Sequence, residues 1–171
     1  LDFLRGNLNT SVIPILLNLI DSHDTARFLY RCEENKEKQK LASSIQLLFP
    51  GMPMIYYGDE FAMTGAHDPD CRRGMLWKEE LQDKDMFKWY KTLIKIRKTY
   101  PCITEGKTVY SFTDDENGII ILTKELDGKK ITLIFHRKSD ETSVSGFTGT
   151  NLLTQTTFDG TLGSFETVVL Q

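Results

Sequence analysis

Two short apolar runs bracket one amphipathic stretch, and that order restricts the possible folds more than any other feature of the chain. Residues 14–20 are nearly all apolar, and so are residues 52–57 (Met-Pro-Met-Ile-Tyr-Tyr). Apolar runs without alternation fit parallel strands buried on both faces. Between them, residues 35–49 put Leu41, Ile45 and Leu48 on one helical face and lysines on the other, and Pro50-Gly51 stops the helix. Glu33 and Glu37 meet lysines at helical spacing, which adds a little support. Strand, helix, strand implies a βα unit within a parallel sheet.

Each apolar run breaks abruptly into polar residues. Asp21, Ser22, His23, Asp24, Thr25 and Arg27 follow Ile20, and Gly58, Asp59 and Glu60 follow Tyr57. In α/β enzymes the strand fixes the backbone, and the loop at its carboxyl end presents the chemistry. The plainer reading makes Asp21 or Ser22 a helix N-cap. Residues 61–77 lack periodicity and carry Gly65, Pro69 and Gly74, which predicts a long loop, often a functional one. Residues 85–100 return to helical period, with Met86, Tyr90, Leu93, Ile94 and Arg97 along one stripe; Asp83 or Asp85 caps the helix and Pro101 ends it.

Beyond residue 103 the pattern changes to short apolar or alternating runs at 107–113, 118–124, 130–136 and 165–170. Asn117-Gly118, Asp127-Gly128 and Asp159-Gly160 lie between them as hairpin-turn signals. The expected fold class is therefore α/β plus all-β, with an antiparallel β-sandwich of Greek-key type after the βα units. The boundary falls near Pro101–Ile103, dividing the chain into residues 1–102 and 103–171.

A formal net charge of −3 gives no basic footprint for nucleic acid or an acidic membrane surface. No apolar run approaches the ~20 residues of a membrane helix, and no signal peptide is visible. Cys32, Cys71 and Cys102 form no CxxC pair, so no zinc site is expected; they read as free thiols of a reducing compartment. Asn9-Thr10-Ser11 fits a glycosylation sequon, relevant only in a secretory pathway. Leu1 opens the chain as though inside a helix, and a piece of a longer polypeptide is expected.

Three stretches carry a resemblance. Asn18-Leu-Ile-Asp-Ser-His-Asp-Thr-Ala-Arg27 is similar to the last of the short motifs that mark the α-amylase family of glycoside hydrolases. Pro50-Gly-Met-Pro-Met-Ile-Tyr-Tyr-Gly-Asp-Glu60 resembles the eighth-strand motif of that family. Asp68-Pro-Asp-Cys-Arg-Arg-Gly-Met-Leu-Trp77 resembles the loop after it in the neopullulanase, cyclomaltodextrinase and maltogenic-amylase branch, with Gly74 where that branch usually has Pro. The likeness covers residues 1–101 firmly and the remainder loosely. It implies that the chain holds the last two βα units of a (β/α)8 TIM barrel followed by a β domain, and that residues 1–13 end the connection before the seventh strand.

The resemblance also implies roles. Asp24 matches a carboxylate that binds sugar hydroxyls beside the cleaved bond and favours the distorted, charge-developing ring, and it is the expected catalytic residue. His23 matches a histidine that donates to a sugar hydroxyl. Asp68 and Arg72 match residues that contact sugar further along the donor side; the plainer reading of that pair is a loop salt bridge, worth little if exposed. Glu60 has no chemical role in the family, and Trp77 and Trp89 are more in keeping with packing than with sugar stacking.

Retaining glycosidases use one carboxylate as nucleophile and one carboxylic acid as proton donor. By resemblance these follow the fourth and fifth barrel strands, and no Asp or Glu of this chain sits in a matching motif. The expectation is a hydrolase of α-1,4 and by extension α-1,6 glucosidic bonds in cyclomaltodextrins, pullulan or maltooligosaccharides, of which this chain alone is inactive. Self-association or a partner chain would cover the open barrel edge. The cytoplasm of a bacterium is the expected location. No cofactor or metal is expected within this stretch of chain, because Asp68 and Asp70 lack the ligand series of a calcium loop; the calcium sites of the resembled family lie mostly in sequence outside it, and calcium in the parent enzyme is left open. The alternative is a non-catalytic carbohydrate-binding module or amylase-like scaffold, which would show exposed aromatic pairs on the β domain, with Phe147 and Phe158 as candidates.

Overall fold

The computed structural model describes residues 12–171. The sequon at Asn9 and all but the last two residues of the connection before the first strand lie outside them. A 3-10 turn at Ile13–Ile15 leads into β1, Leu17–Asn18, which pairs in parallel with β2, Met52–Pro53, in the register Leu17↔Met52. The parallel arrangement expected of the two apolar runs is present, although each contributes only two residues of regular strand.

The helices follow their periodicity. A single turn, α1 (Phe28–Arg31), precedes α2 (Lys36–Leu48), whose N-terminus is capped by the Asn35 side chain accepting from the Glu37 and Lys38 amides. The long loop ends at α3 (Lys84–Thr99), where Asp83 is the cap and accepts from the Met86 amide at 2.8 Å. Arg97, on the apolar stripe of α3, reaches past the end of α2. Its guanidinium donates to the carbonyls of Leu47 at 2.6 Å, Phe49 at 2.9 Å and Gly51 at 2.6 Å. These are helix-end carbonyls and their neighbours, which lack partners within the helix.

Three eight-residue strands follow: β3 (Lys107–Asp114), β4 (Ile119–Leu126) and β5 (Lys129–His136). Gly118 (φ +68°) serves the first hairpin; Asp127 (φ +51°) and Gly128 (φ +76°) serve the second, the two positive φ values a tight hairpin turn requires. Two-residue strands then appear that the sequence pattern does not announce: β6 (Thr142–Ser143), β7 (Thr150–Asn151), β8 (Thr156–Thr157) and β9 (Thr161–Leu162), before β10 (Thr167–Leu170). Asp159-Gly160, expected as a hairpin turn, is not one. It links β8 to β9, which belong to different sheets, because β8 pairs with β7 and β9 with β6.

The main sheet has the order β3-β4-β5-β10-β7-β8, and its β3–β4, β4–β5 and β5–β10 ladders are antiparallel. One face, carrying Leu122, Leu133, Phe135 and Val169, shares a core with Leu47, Leu48, Met86, Tyr90 and Leu93 of the two helices. The other face, with Ile119, Ile121, Ile134, Val168 and Leu170, is closed by Phe158 and by Leu162 of the small β6–β9 sheet. The sheet thus lies between a helical layer and a smaller sheet.

Candidate functional site

The loop between β1 and α1 is built from the inside outward. Asp21 is buried, and its Oδ1 accepts from the Phe28 amide at 2.6 Å, so it caps α1 from seven residues upstream. The Ser22 hydroxyl accepts from the Asp24 amide at 3.2 Å and folds the loop tip. At that tip His23 Nε2 lies 3.2 Å from Asp24 Oδ1, with the side chains 65% and 75% exposed. The two readings of this stretch are therefore compatible: Asp21 is the cap, and the cap leaves His23 and Asp24 projecting into solvent.

Arg27 ties this loop to the two downstream segments. It is fully buried, and its amide donates to the Gly65 carbonyl at 2.9 Å. Its side chain donates to the carbonyls of Cys71 at 3.1 Å and Tyr57 at 2.9 Å and to Asp59 Oδ1 at 3.2 Å. The guanidinium carbon also lies 4.6 Å from the Tyr56 ring centre and 4.9 Å from that of Tyr57, within range of cation–π attraction. One planar multi-donor group thereby serves three acceptors in two separate stretches of chain, which an ammonium cannot do.

Asp21 and Asp59 meet behind Arg27. Burial, then the Asp21 charge and a hydrogen bond to it, push the Asp59 carboxyl up to about 9, against the pull of Arg27. Burial likewise raises Asp21. Both carboxyls are thereby biased toward their protonated forms, and the Oδ2 atom of each is buried without a hydrogen-bond partner. Arg27 Nη1 faces Asp59 Oδ1 at 3.2 Å and pulls against that bias. Glu60 is structural: its Oε2 accepts from the Gly58 amide at 2.8 Å.

Residues 65–73 flank the loop tip. Asp68 and Arg72 form an exposed ion pair, with Arg72 Nε donating to Asp68 Oδ1 at 2.6 Å, beside a cis Asp68–Pro69 peptide. Arg73 grips Asp70 at 2.6 and 2.9 Å and holds its carboxyl below the usual range. The Cys71 thiol, buried between these pairs, donates to the His23 carbonyl at 3.6 Å. His23 and Asp24 are thus joined to the Asp68–Arg72 loop through the backbone and Arg27, while the two exposed pairs keep to themselves. Trp77 is 82% exposed, and the Trp89 Nε1–H donates to the Lys40 carbonyl at 3.1 Å. Among the described residues no three of His, Cys, Asp and Glu come together as a metal-ligand set.

Sequence reasoning singled out His23, Asp24, Asp68 and Arg72 as candidates and Asp21 as a cap, but did not foresee that Arg27 and Asp59 turn inward beside Asp21. The available signal was positional: an acid and an arginine after one strand, and a second acid after the next.

Residues 8–80 match the model of the alpha amylase catalytic domain. Neopullulanase 2 of Thermoactinomyces vulgaris is 37% identical over 129 residues, 75% of this chain and 22% of the relative. A cyclomaltodextrinase of Thermoanaerobacter pseudethanolicus is 41% identical over 133 residues, 77% of this chain and 22% of the relative. The chain thus spans about a fifth of the length of these relatives. Among solved structures, a cyclic α-maltosyl-(1→6)-maltose hydrolase from Arthrobacter globiformis superposes with a TM-score of 0.82 at 27% identity, over 99% of this chain and 38% of the other. A cyclomaltodextrinase structure gives 0.77 at 31% identity, over 92% and 30%.

Proposed function

We propose that this chain, whose residues 8–80 match the alpha amylase catalytic domain and which is similar to neopullulanase and cyclomaltodextrinase relatives, supplies the donor-side wall of a retaining glycosidase of the α-amylase family that cleaves α-1,4, and also α-1,6, glucosidic bonds in cyclomaltodextrins, pullulan or maltooligosaccharides. One observation carries the reading: an exposed His–Asp pair stands at the carboxyl end of two parallel strands, on a loop pinned by a buried arginine. In this reading β1 and β2 are the last strands of the (β/α)8 barrel, residues 1–102 are the end of the barrel domain, and residues 103–171 are the β domain behind it.

Cleavage builds positive charge on the sugar ring as the glycosidic bond lengthens. The Asp24 carboxylate is a fixed negative group aimed at that charge, and its attraction grows from ground state to transition state. His23 donates a hydrogen bond to a hydroxyl of the same sugar unit. Asp68 and Arg72 meet the next unit along the donor side, the guanidinium as donor and the carboxylate as acceptor. The nucleophile and the proton donor belong to other barrel strands, so the 171-residue chain alone does not turn over substrate. Ile15, Leu17, Leu19 and Met52, exposed around the parallel pair, are the surface that the remaining strands or an associating copy would cover. A bacterial cytoplasmic setting fits the three free cysteines.

The test is Asp24→Asn in the assembled enzyme. A drop of about 10²–10³-fold in kcat, shared by kcat/KM, is expected for loss of one transition-state group. Unchanged turnover would remove Asp24 from the mechanism. Release of reducing sugar from a cyclomaltodextrin by the 171-residue chain alone would overturn the division of labour.

A further inference from the structure

Strand β3 is the outer edge of the main sheet, and its open side carries aromatic rings. A bulge between Thr108 and Tyr110 resets the register so that Tyr110, Phe112 and Asp114 stand opposite Thr123, Ile121 and Ile119. Side chains that alternate by two share a face, so the two rings stand on the face whose core is closed by the small sheet. Ile119 and Ile121 are buried there, whereas Tyr110 and Phe112 are 45% and 43% exposed. Phe147, from the loop after β6, comes across to Tyr110 at 5.9 Å between ring centres. Phe158, the other aromatic residue that sequence reasoning put forward, is buried in the core.

These three rings wall a cleft of about 250 Å³, with Asp114, Asn117, Ser143 and Ser145 on its rim. That volume is close to the lower end, about 300 Å³, of small-molecule sites. The Asn117 amide and side chain donate to the two Asp114 oxygens at 2.9 and 2.8 Å, which fixes the carboxyl in place and holds it below the usual range. We propose that this cleft is a glucan-binding site separate from the His23–Asp24 loop. It takes one or two units of an α-glucan chain against Tyr110, Phe112 and Phe147, and the rim accepts from and donates to their hydroxyls. The choice of glucan over another ligand rests on the glycosidase reading above. The complementarity rests on the cleft itself: a pyranose offers apolar C–H faces to aromatic rings and a belt of hydroxyls to carboxylate, amide and serine groups. A partner strand adding to β3 is disfavoured by the bulge, which twists the edge away from regular pairing.

The experiment is affinity electrophoresis of the 171-residue chain in native gels cast with amylopectin, with a non-binding reference protein in each lane. Wild-type chain is expected to be slowed, and Tyr110→Ala/Phe112→Ala to run as it does without polysaccharide, a weakening of at least about tenfold. Tyr110→Phe keeps the ring and is expected to remain slowed, and so is Asp24→Asn. Far-UV circular dichroism checks the double variant; Phe147→Ala, on a loop, gives the same reading if the double variant does not fold. The proposal fails if wild-type chain is not slowed, or if the ring-deleted variants are slowed like wild type. Retardation lost in Asp24→Asn but kept in the ring-deleted variants assigns binding to the loop and also overturns the cleft. Loss confined to the ring-deleted variants supports the cleft whatever Asp24 does in catalysis. Sedimentation showing that Tyr110 mediates self-association, with no glucan dependence, would overturn it as well.

Discussion

Replacing Arg27 by Met keeps most of the side-chain volume and removes the cation and its donors, so the cavity term is small and the electrostatic arrangement is tested alone. Three acceptors lose their donor: the Cys71 and Tyr57 carbonyls and Asp59 Oδ1. A buried acceptor left unpaired costs about 1–3 kcal/mol, giving roughly 3–9 kcal/mol for three. Against this, the variant no longer keeps a guanidinium out of water, which returns several kcal/mol. The balance is a loss of about 3–5 kcal/mol, a large share of the roughly 5–15 kcal/mol that stabilises a typical domain. With a urea m-value of about 2 kcal/mol/M, the unfolding midpoint falls by about 2 M. Arg27→Lys is expected to recover little, because one ammonium cannot span three divergent acceptors. Amide hydrogen exchange should quicken together over 21–27 and 65–73, since Arg27 joins both. A loss below about 1 kcal/mol, or a Lys variant as stable as wild type, would refute the view of Arg27 as the common tie.

The upward displacement of the buried Asp59 carboxyl predicts a pH dependence. The folded chain retains on Asp59, raised to about 9, a proton that the unfolded chain releases near 3.8, so this contribution is complete below 3.8 and is lost as pH rises towards 9. Asp59→Asn should flatten that slope, by up to about 1.4 kcal/mol per pH unit, in urea melts at pH 5 and 8; parallel profiles would show that Asp59 is not the group. Arg97→Met strips the donors from three carbonyls at the end of α2 and should cost about 2–4 kcal/mol by the same melts. Gly51→Ala meets both a φ of +124° and a Cβ position 2.7 Å from the Leu16 carbonyl oxygen, and is expected to lower stability by at least about 1–3 kcal/mol. A stable Gly51→Ala chain would mean that the approach of the α2–β2 turn to β1 relaxes freely.

The parts of this structure that were legible in the sequence are those whose determinants are local. Helices α2 and α3 appear within a residue of their expected limits because Leu41, Ile45 and Leu48, and Met86, Tyr90 and Leu93, recur at helical period beside the capping residues Asn35 and Asp83. The hairpins of β3, β4 and β5 were marked by Asn117-Gly118 and Asp127-Gly128. Strands β6 to β9 were not visible, since two residues are too few to show alternation; the nearby Phe158 and Leu162 are buried against the main sheet. Asp159-Gly160 misled for the same reason, because a turn dipeptide records chain reversal and not which strands will pair. At the candidate site, the exposed His23 and Asp24 were legible by their motif. Asp21 was legible as a cap, but the inward turn of Arg27 and Asp59 was not, because polar residues after a strand look alike until the fold decides which of them turn inward.

The helices and the sheet share one interior, with Leu47, Leu93, Leu133 and Val169 in a single cluster. This bears on how such chains can be recombined. A chimaera joined at residues 102–103 would cut the backbone at a sensible connection but would divide that interior between two parents. Exchange of residues 103–171 among relatives should therefore succeed only when the faces of α2 and α3 that pack against the sheet travel with them.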